Sequence, residues 1–487
     1  MGVIEWFKGV IGRMFTDDAK QKFGVTPISS SNMDAEIAKW MNVYYGMPAW
    51  VDSQNAIRTI NFAKAVCSET ARLVTLGIGV NLSGGDRASF LQEQVDKTIY
   101  PRLRSWVEYG CASGTIILKP NGEGVDVVTP DRFCVVRSDS NKKISGAIFQ
   151  DTYTEGSDIF TKLEYHRFED DVYRISVKTF RSRNKSNIGI EVPITATKWA
   201  EILPEAYITK ADGSKLDGML FGVFVMPEAN NIDLDSPLGM SIFSGALEEL
   251  KDLDIAYSRN AWEIDQSNTI ELLDDALIGQ DGGKIRRGSS TTVSKDSSGR
   301  MSITSSNRLP SHVHNVMGNA SSDFYQQIDR PLKTTERKVG INQQLSFIGY
   351  KCGYSNGYFA FDEKTGMVTA TQVESDDRRT IQLIKDIRDQ LQQGIEDTIY
   401  AMSVFADLYE LAPIGTYKVD FEFGDITYNY EEDRNRWYQL MMQGVVPKWL
   451  YLVKFENMSE DDARAIIAER ESEDSQKEML FSRANEE

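Results

Sequence analysis

A chain of 487 residues with 72 Asp and Glu against 54 Lys and Arg carries a formal charge of −18, the wrong sign for a protein whose surface grips nucleic acid throughout. The length implies several domains or one multi-part architecture, and a hydrophobic share of 41% is ordinary for a folded chain. Cys67, Cys111, Cys134 and Cys352 lie far apart with no CxxC pair, which speaks against zinc and against a disulfide framework, and for reduced thiols in a cytoplasmic compartment.

At the N-terminus, Val3, Ile4, Phe7, Ile11, Met14 and Phe15 share one helical face. The stretch has no signal cleavage site, and Trp6 stands where myristoylation needs Ser or Thr. Lys8 and Arg13 are the only cations on its polar face, so packing on a partner is favoured over an interfacial membrane helix. No apolar run approaches the roughly 18 residues of a membrane span.

Residues 31–110 read mostly as helices, one over 57–76 with Gly77 as its cap and one over 89–110 stopped by Gly110. Strand-and-turn chemistry follows from 114 to 225, with strands expected at 115–118, 125–128, 133–136, 173–180 and 221–225. Ser83 to Asp86 reads as a surface turn. A helix is expected to open at Asp235 to Gly239, with Ser236 as cap and Pro237 at its first position, and to run to about Gln266. A polar insert occupies 269–318, and helical pattern returns over 321–339, broken by Pro331.

Residues 341–366, rich in Gly, Asn and aromatics, show no helical period and read as a long loop, a feature usually tied to function. They lead into a long helix expected over 369–410, roughly 60 Å in length. Thr371 and Glu374 have capping-box spacing, and Ile384, Ile387, Leu391, Ile395, Ile399 and Met402 form the stripe. A strand pair over 416–428 and a charged helical region from 431 complete the chain.

Chemical signatures are sparse. There is no phosphate-binding loop, dinucleotide fingerprint, zinc-protease helix or nucleophile elbow. Asp233 and Asp235 have the spacing of a metal-binding DxD, but acidic residues before a helix have a structural role there. His312 and His314 read as loop histidines, because a metal site would need carboxylates from elsewhere. Lys284, Arg286 and Arg287 form a small basic cluster suited to phosphate or an acidic partner.

Four sequence blocks occur in a fixed order: Thr129-Pro130-Asp131-Arg132-Phe133; Leu163 to Phe168 followed by Val172 to Ile175; Asp235 to Gly239 with Leu253 to Tyr257; and Phe361 to Gly366 with Thr369 to Glu374. In that order they resemble the bacteriophage portal proteins, the head–tail connectors of tailed phages, particularly of siphophages infecting Gram-positive bacteria. The resemblance implies an α+β portal fold that forms a ring, usually dodecameric, around a DNA channel. Its parts would be a wing over 1–235, a stem helix over 236–268, a clip over 269–318, a second stem helix over 319–340, a channel loop over 341–368, a long wing helix and strands over 369–430, and a helical crown over 431–487.

It further implies a virion protein of the capsid portal vertex, assembled in the host cytoplasm, with no catalytic, cofactor or metal site. Its partners would be double-stranded DNA passing without sequence preference, the terminase large subunit, capsid and scaffolding proteins, and a head–tail adaptor. Gln343, Gln344, Tyr350, Lys351, Asn356 and Lys364 would be the channel-loop contacts to DNA, with Lys351 a transient phosphate contact. Lys284, Arg286 and Arg287 would face terminase or adaptor. Twelve copies would carry roughly −216, a field that discourages DNA from sticking. Competing expectations are a metal-dependent transferase using Asp233 and Asp235, a peripheral membrane protein held by residues 3–15, and a portal-like ring of a defective prophage or gene-transfer particle.

Overall fold

The computed structural model describes residues 22–51, 57–122, 124–169, 171–184, 187–210, 213–266, 270–273, 291–295, 301–305, 312–314, 325–328, 332–361, 370–424, 437–443, 446–455, 459–460, 462–468 and 470. The chain divides into two compact units, Met1–Glu422 and Phe423–Glu487. The predicted amphipathic N-terminal helix over 3–15 lies outside the described residues.

In the first unit α1 (Ser31–Tyr44) starts where the Ser30 hydroxyl accepts from the Met33 amide, and it buries Met33, Ile37, Trp40, Met41 and Tyr44 along one face. Next come α2 (Phe62–Val74), β1 (Gly79–Gly84), α3 (Asp86–Gln94) and α4 (Leu103–Ser113). Ser83 and Gly84 therefore belong to a strand and Asp86 to a helix, not to a surface turn. The single helix expected over 89–110 is interrupted by a π turn at Val95–Ile99 and a 3-10 turn at Tyr100–Arg102, where Pro101 cannot continue the hydrogen-bond ladder. Gly110 does not stop α4. It makes room for the Phe224 ring, and Gly114, at φ +79°, ends the helix instead.

Two antiparallel sheets follow. β2 (Thr115–Pro120) pairs with β3 (Val125–Val128) on one side and with the later strand β10 (Gly222–Val225) on the other. The larger sheet runs β4 (Phe133–Ser138), β5 (Ile144–Glu155), β6 (Asp158–Glu169), β7 (Val172–Ser182) and β8 (Ile190–Val192), with β9 (Glu205–Ile208) also on β7. All five predicted strands are present. β5 and β6 were not expected, because the residues they bury include Gly146, Thr161, Lys162 and His166 and so do not form apolar runs.

Asp235 to Phe243 is not helical. Its backbone bonds go to the α4–β2 junction: the Gly239 amide donates to Thr115 Oγ1 (2.8 Å) and the Ile242 amide to the Cys111 carbonyl (3.0 Å). Gly239 also lies against the Gly114 carbonyl, where a Cβ would not fit. A 3-10 turn at Ser244–Ala246 then leads into α5 (Leu247–Gln266), so the predicted stem helix begins eleven residues late, at Leu247.

The described parts of the insert are β11 (Ile270–Leu273), β12 (Thr291–Lys295), β13 (Met301–Ser305) and β14 (His312–His314), followed by β15 (Tyr325–Ile328). β12 and β13 form a hairpin ladder, and β11 lies between β14 and β15. His312 and His314 thus sit on a strand, not a loop. The helix expected over 321–339 is displaced: 325–328 is β15, and α6 spans Thr334–Lys351. The first eleven residues of the expected loop are therefore helical.

The long helix α7 (Ala370–Leu408) agrees closely with its prediction, although it already includes the residue before Thr371 of the expected capping box. Ile384, Ile387, Leu391, Ile395 and Ile399 are buried along it. It lies directly on β10, because Gly222 and Gly394 remove the side chains that would separate the two backbones. β16 (Tyr417–Glu422) returns to pair with β1, over three hundred residues earlier; of the strand pair expected over 416–428, residues 425–428 lie outside the described residues. In the second unit α8 (Lys448–Phe455) buries Tyr451 and Phe455 in an aromatic group with Trp437 and Tyr438.

Candidate functional site

α5 and α6 pack antiparallel. Glu263 pairs with Arg337 near one end, and Glu249 with Lys351 at the other, at 2.6 Å. Between these pairs α6 buries Asn342, Leu345 and Ile348 while exposing Val339, Phe347 and Tyr350. Apolar groups on two faces leave little amphipathic contrast, which is why its sequence reads as patternless. α5 is held on its other side by the segment before α2. Asp254, 3% exposed, accepts from the Trp50 indole and the Ile60 amide, and Ser258 accepts from the Arg58 amide.

Beyond α6 the chain turns at Gly353, φ +85°, and packs inward instead of projecting. Tyr354 is fully buried and shares a 2.6 Å hydrogen bond with Thr70 of α2. Tyr354, Tyr358 and Phe359 form one aromatic cluster, which Phe62 extends. The Tyr358 hydroxyl donates to Glu69 at 2.5 Å; burial first, then that carboxylate, raises its pKa. The Ser355 amide donates to Thr380 Oγ1 at 2.9 Å, locking the segment to α7. Cys352 is buried, and burial pushes its thiol well above the ordinary range. Residues 341–361 are thus helix and packed turn, which corrects the expectation of a long structureless loop.

The proposed DNA contacts fall in different settings. Gln343 and Tyr350 are exposed on α6, Gln344 is half-buried there, and Asn356 is exposed on the packed turn. Lys351 ends α6, and its ammonium is engaged by Glu249 instead of standing free. Lys364 lies outside the described residues, as do Lys284, Arg286 and Arg287. Sequence reasoning passed over Arg378 and Arg379, both exposed on α7. Arg379 lies 3.9 Å over the Tyr350 ring and donates to the Tyr350 carbonyl at 2.8 Å. Nothing in the local sequence sets this pair apart, and only the turn at Gly353 brings α7 to Tyr350.

Asp233 has a structural task. Burial acts to raise its pKa, but amide donors from Ser30, Asp235 and Ser236 outweigh it and hold the carboxyl below its usual value. The loop is thereby clasped to the start of α1, and the Asp233 oxygens are committed to those amides. No group of His, Cys, Asp and Glu among the described residues is arranged to hold a metal. No helix among them is long and apolar enough to cross a membrane.

No curated protein matches the chain. A family described as "Phage portal protein, SPP1 Gp6-like" matches residues 36–478, from the first turns of α1 past the end of α8. Nearly the whole chain, including most of each unit and the α5–α6–α7 succession, lies within that match, and the protein is a member of the SPP1 Gp6-like family of phage portal proteins.

Proposed function

We propose that copies of this chain assemble into a ring, twelve-membered, at one vertex of the capsid. Genomic DNA enters through the ring, driven by a separate terminase ATPase, and later leaves by the same path, and a head–tail adaptor attaches to it. Assembly takes place in the host cytoplasm. The observation that carries this is the family match over 36–478, which leaves little of the chain for any other function.

Within that ring the antiparallel pair α5 and α6 serves as the stem, 269–318 as the clip that meets terminase and adaptor, and 431–487 as the crown. The β-rich part before α5 and the long helix α7 make the wing. Exposed Gln343, Tyr350 and Asn356 are the better placed of the proposed DNA contacts, whereas Lys351 is already neutralised by Glu249. An acidic chain suits this task, because a channel guides a polyanion best when it makes few strong phosphate contacts.

Negative-stain imaging of the purified protein tests the assembly. Rings with a central hole are expected, and uniformly compact particles of single-chain mass would contradict it.

A further inference from the structure

Three helices end on an arginine supplied by a different part of the fold. The last carbonyls of a helix lack intrahelical partners and carry the negative end of its dipole, so a guanidinium fork satisfies both. Arg388, 6% exposed, donates to the carbonyls of Leu73, Val74 and Leu76 at the end of α2. Arg87, 1% exposed, donates to Ser403, Ala412 and Pro413 around the end of α7 and pairs with Asp407. Arg379 makes one such bond at the end of α6, to the Tyr350 carbonyl, which the Gly353 amide also reaches at 3.2 Å; it is exposed, and the ring it covers is 58% exposed. Two of these clamps are sealed; the third is open to solvent.

We propose that Arg379 is a phosphate-contact residue and a releasable clamp. When duplex DNA lies alongside, its guanidinium leaves the Tyr350 carbonyl for a backbone phosphate, and the last turn of α6 loosens. This rests on the reading that DNA passes through a ring of these chains. A phosphate offers two charged acceptors to the fork where Tyr350 offers one neutral carbonyl and a ring face. Arg87 and Arg388 cannot make the exchange, being buried and each held by at least three carbonyls. The neighbouring cation at the same helix end, Lys351, is occupied by Glu249. One contact per subunit is weak enough to let DNA slide.

The test is hydrogen exchange of the peptide covering 346–353, read on procapsids before packaging and on the same particles after they are filled. In the native protein, filling accelerates exchange of this peptide several-fold, while the end of α2 is unchanged. In Arg379→Ala particles the peptide exchanges fast when empty and does not respond to filling. If that variant fails to assemble, Arg379→Lys, which keeps the charge and loses the fork, shows an attenuated response. Particles that fill without any change in exchange overturn the clamp alone, as does a full response in Arg379→Ala or Arg379→Lys. Particles built on the native chain that admit no DNA overturn the portal function itself.

Discussion

His166 has both ring nitrogens engaged on β6 of the larger sheet. Nε2 lies 2.8 Å from Glu164 Oε1 and Nδ1 lies 2.8 Å from the Tyr173 hydroxyl, which also receives the Leu220 amide. A neutral imidazole satisfies this chain by donating through Nε2 and accepting from Tyr173 through Nδ1. The groups facing it are Glu164 and Lys162 on β6, Lys119 on β2, Tyr173 on β7, and the rings of Phe149 and Phe221. Burial lowers the His166 pKa below 6.5, against the pull of Glu164. The unfolded chain therefore takes up this proton first as pH falls below about 6.5, and stability declines with acidification. For Glu164 burial works upward, but Lys119, His166 and Lys162 win and hold the carboxyl well below 4.5. Its contribution is present above about 4.5 and is lost as pH falls below that value. The melting temperature should thus drop between about pH 7.5 and about pH 5.5, and His166→Gln should flatten the drop. Equal pH dependence in variant and native protein would show that other groups dominate. Glu164 and His166, two apart on a strand, share a face by simple alternation, so half of this network was legible from the sequence. Tyr173 was not, because its place depends on the β6–β7 register.

At the level of elements, the crossing of α7 over β10 is made possible by missing side chains. A Cβ on Gly222 would lie 2.1 Å from the Gly394 carbonyl oxygen, and a Cβ on Gly394 would lie 2.9 Å from that of Val223. Gly394→Val should therefore push the helix off the strand and lower unfolding free energy by about 3 kcal/mol or more in denaturant titration. Gly245→Ala, where nothing lies within 4 Å of the added carbon, should be neutral or slightly stabilising, by up to about 1 kcal/mol. Equal costs at the two positions would mean that helix propensity, not the crossing, sets the effect. β1 shows a different economy: the Gln92 side-chain amide accepts from the Leu82 amide and donates to the Val80 carbonyl, standing in for a neighbouring strand. The long stripe of α7 was readable because one face is buried and the other wet. α6 was not, because its outer face is apolar as well.

For the whole molecule, the charge of −18 per chain sets a further expectation. Bringing acidic copies together costs repulsion that salt screens over about 10 Å at 0.1 M. Sedimentation velocity should show more ring and less free chain at about 0.3 M salt than at about 0.03 M. The reverse trend would mean that opposite charges across the subunit contacts outweigh the net field.

The class of this protein and much of its order along the chain can be read from the residues in line. The ordered blocks from Thr129 to Glu374, the change from helical to strand chemistry near Gly114 and the long helix from Ala370 were all local patterns. A local pattern survives because a residue's period along its own element reports which face is buried. Which groups are spoken for emerges only once the chain is folded. Lys351 is paired with Glu249, Asp233 with the start of α1, and Arg388 with a carbonyl 314 residues earlier in the chain. Such partners depend on how closely backbones approach one another, and residue type alone carries no record of that distance.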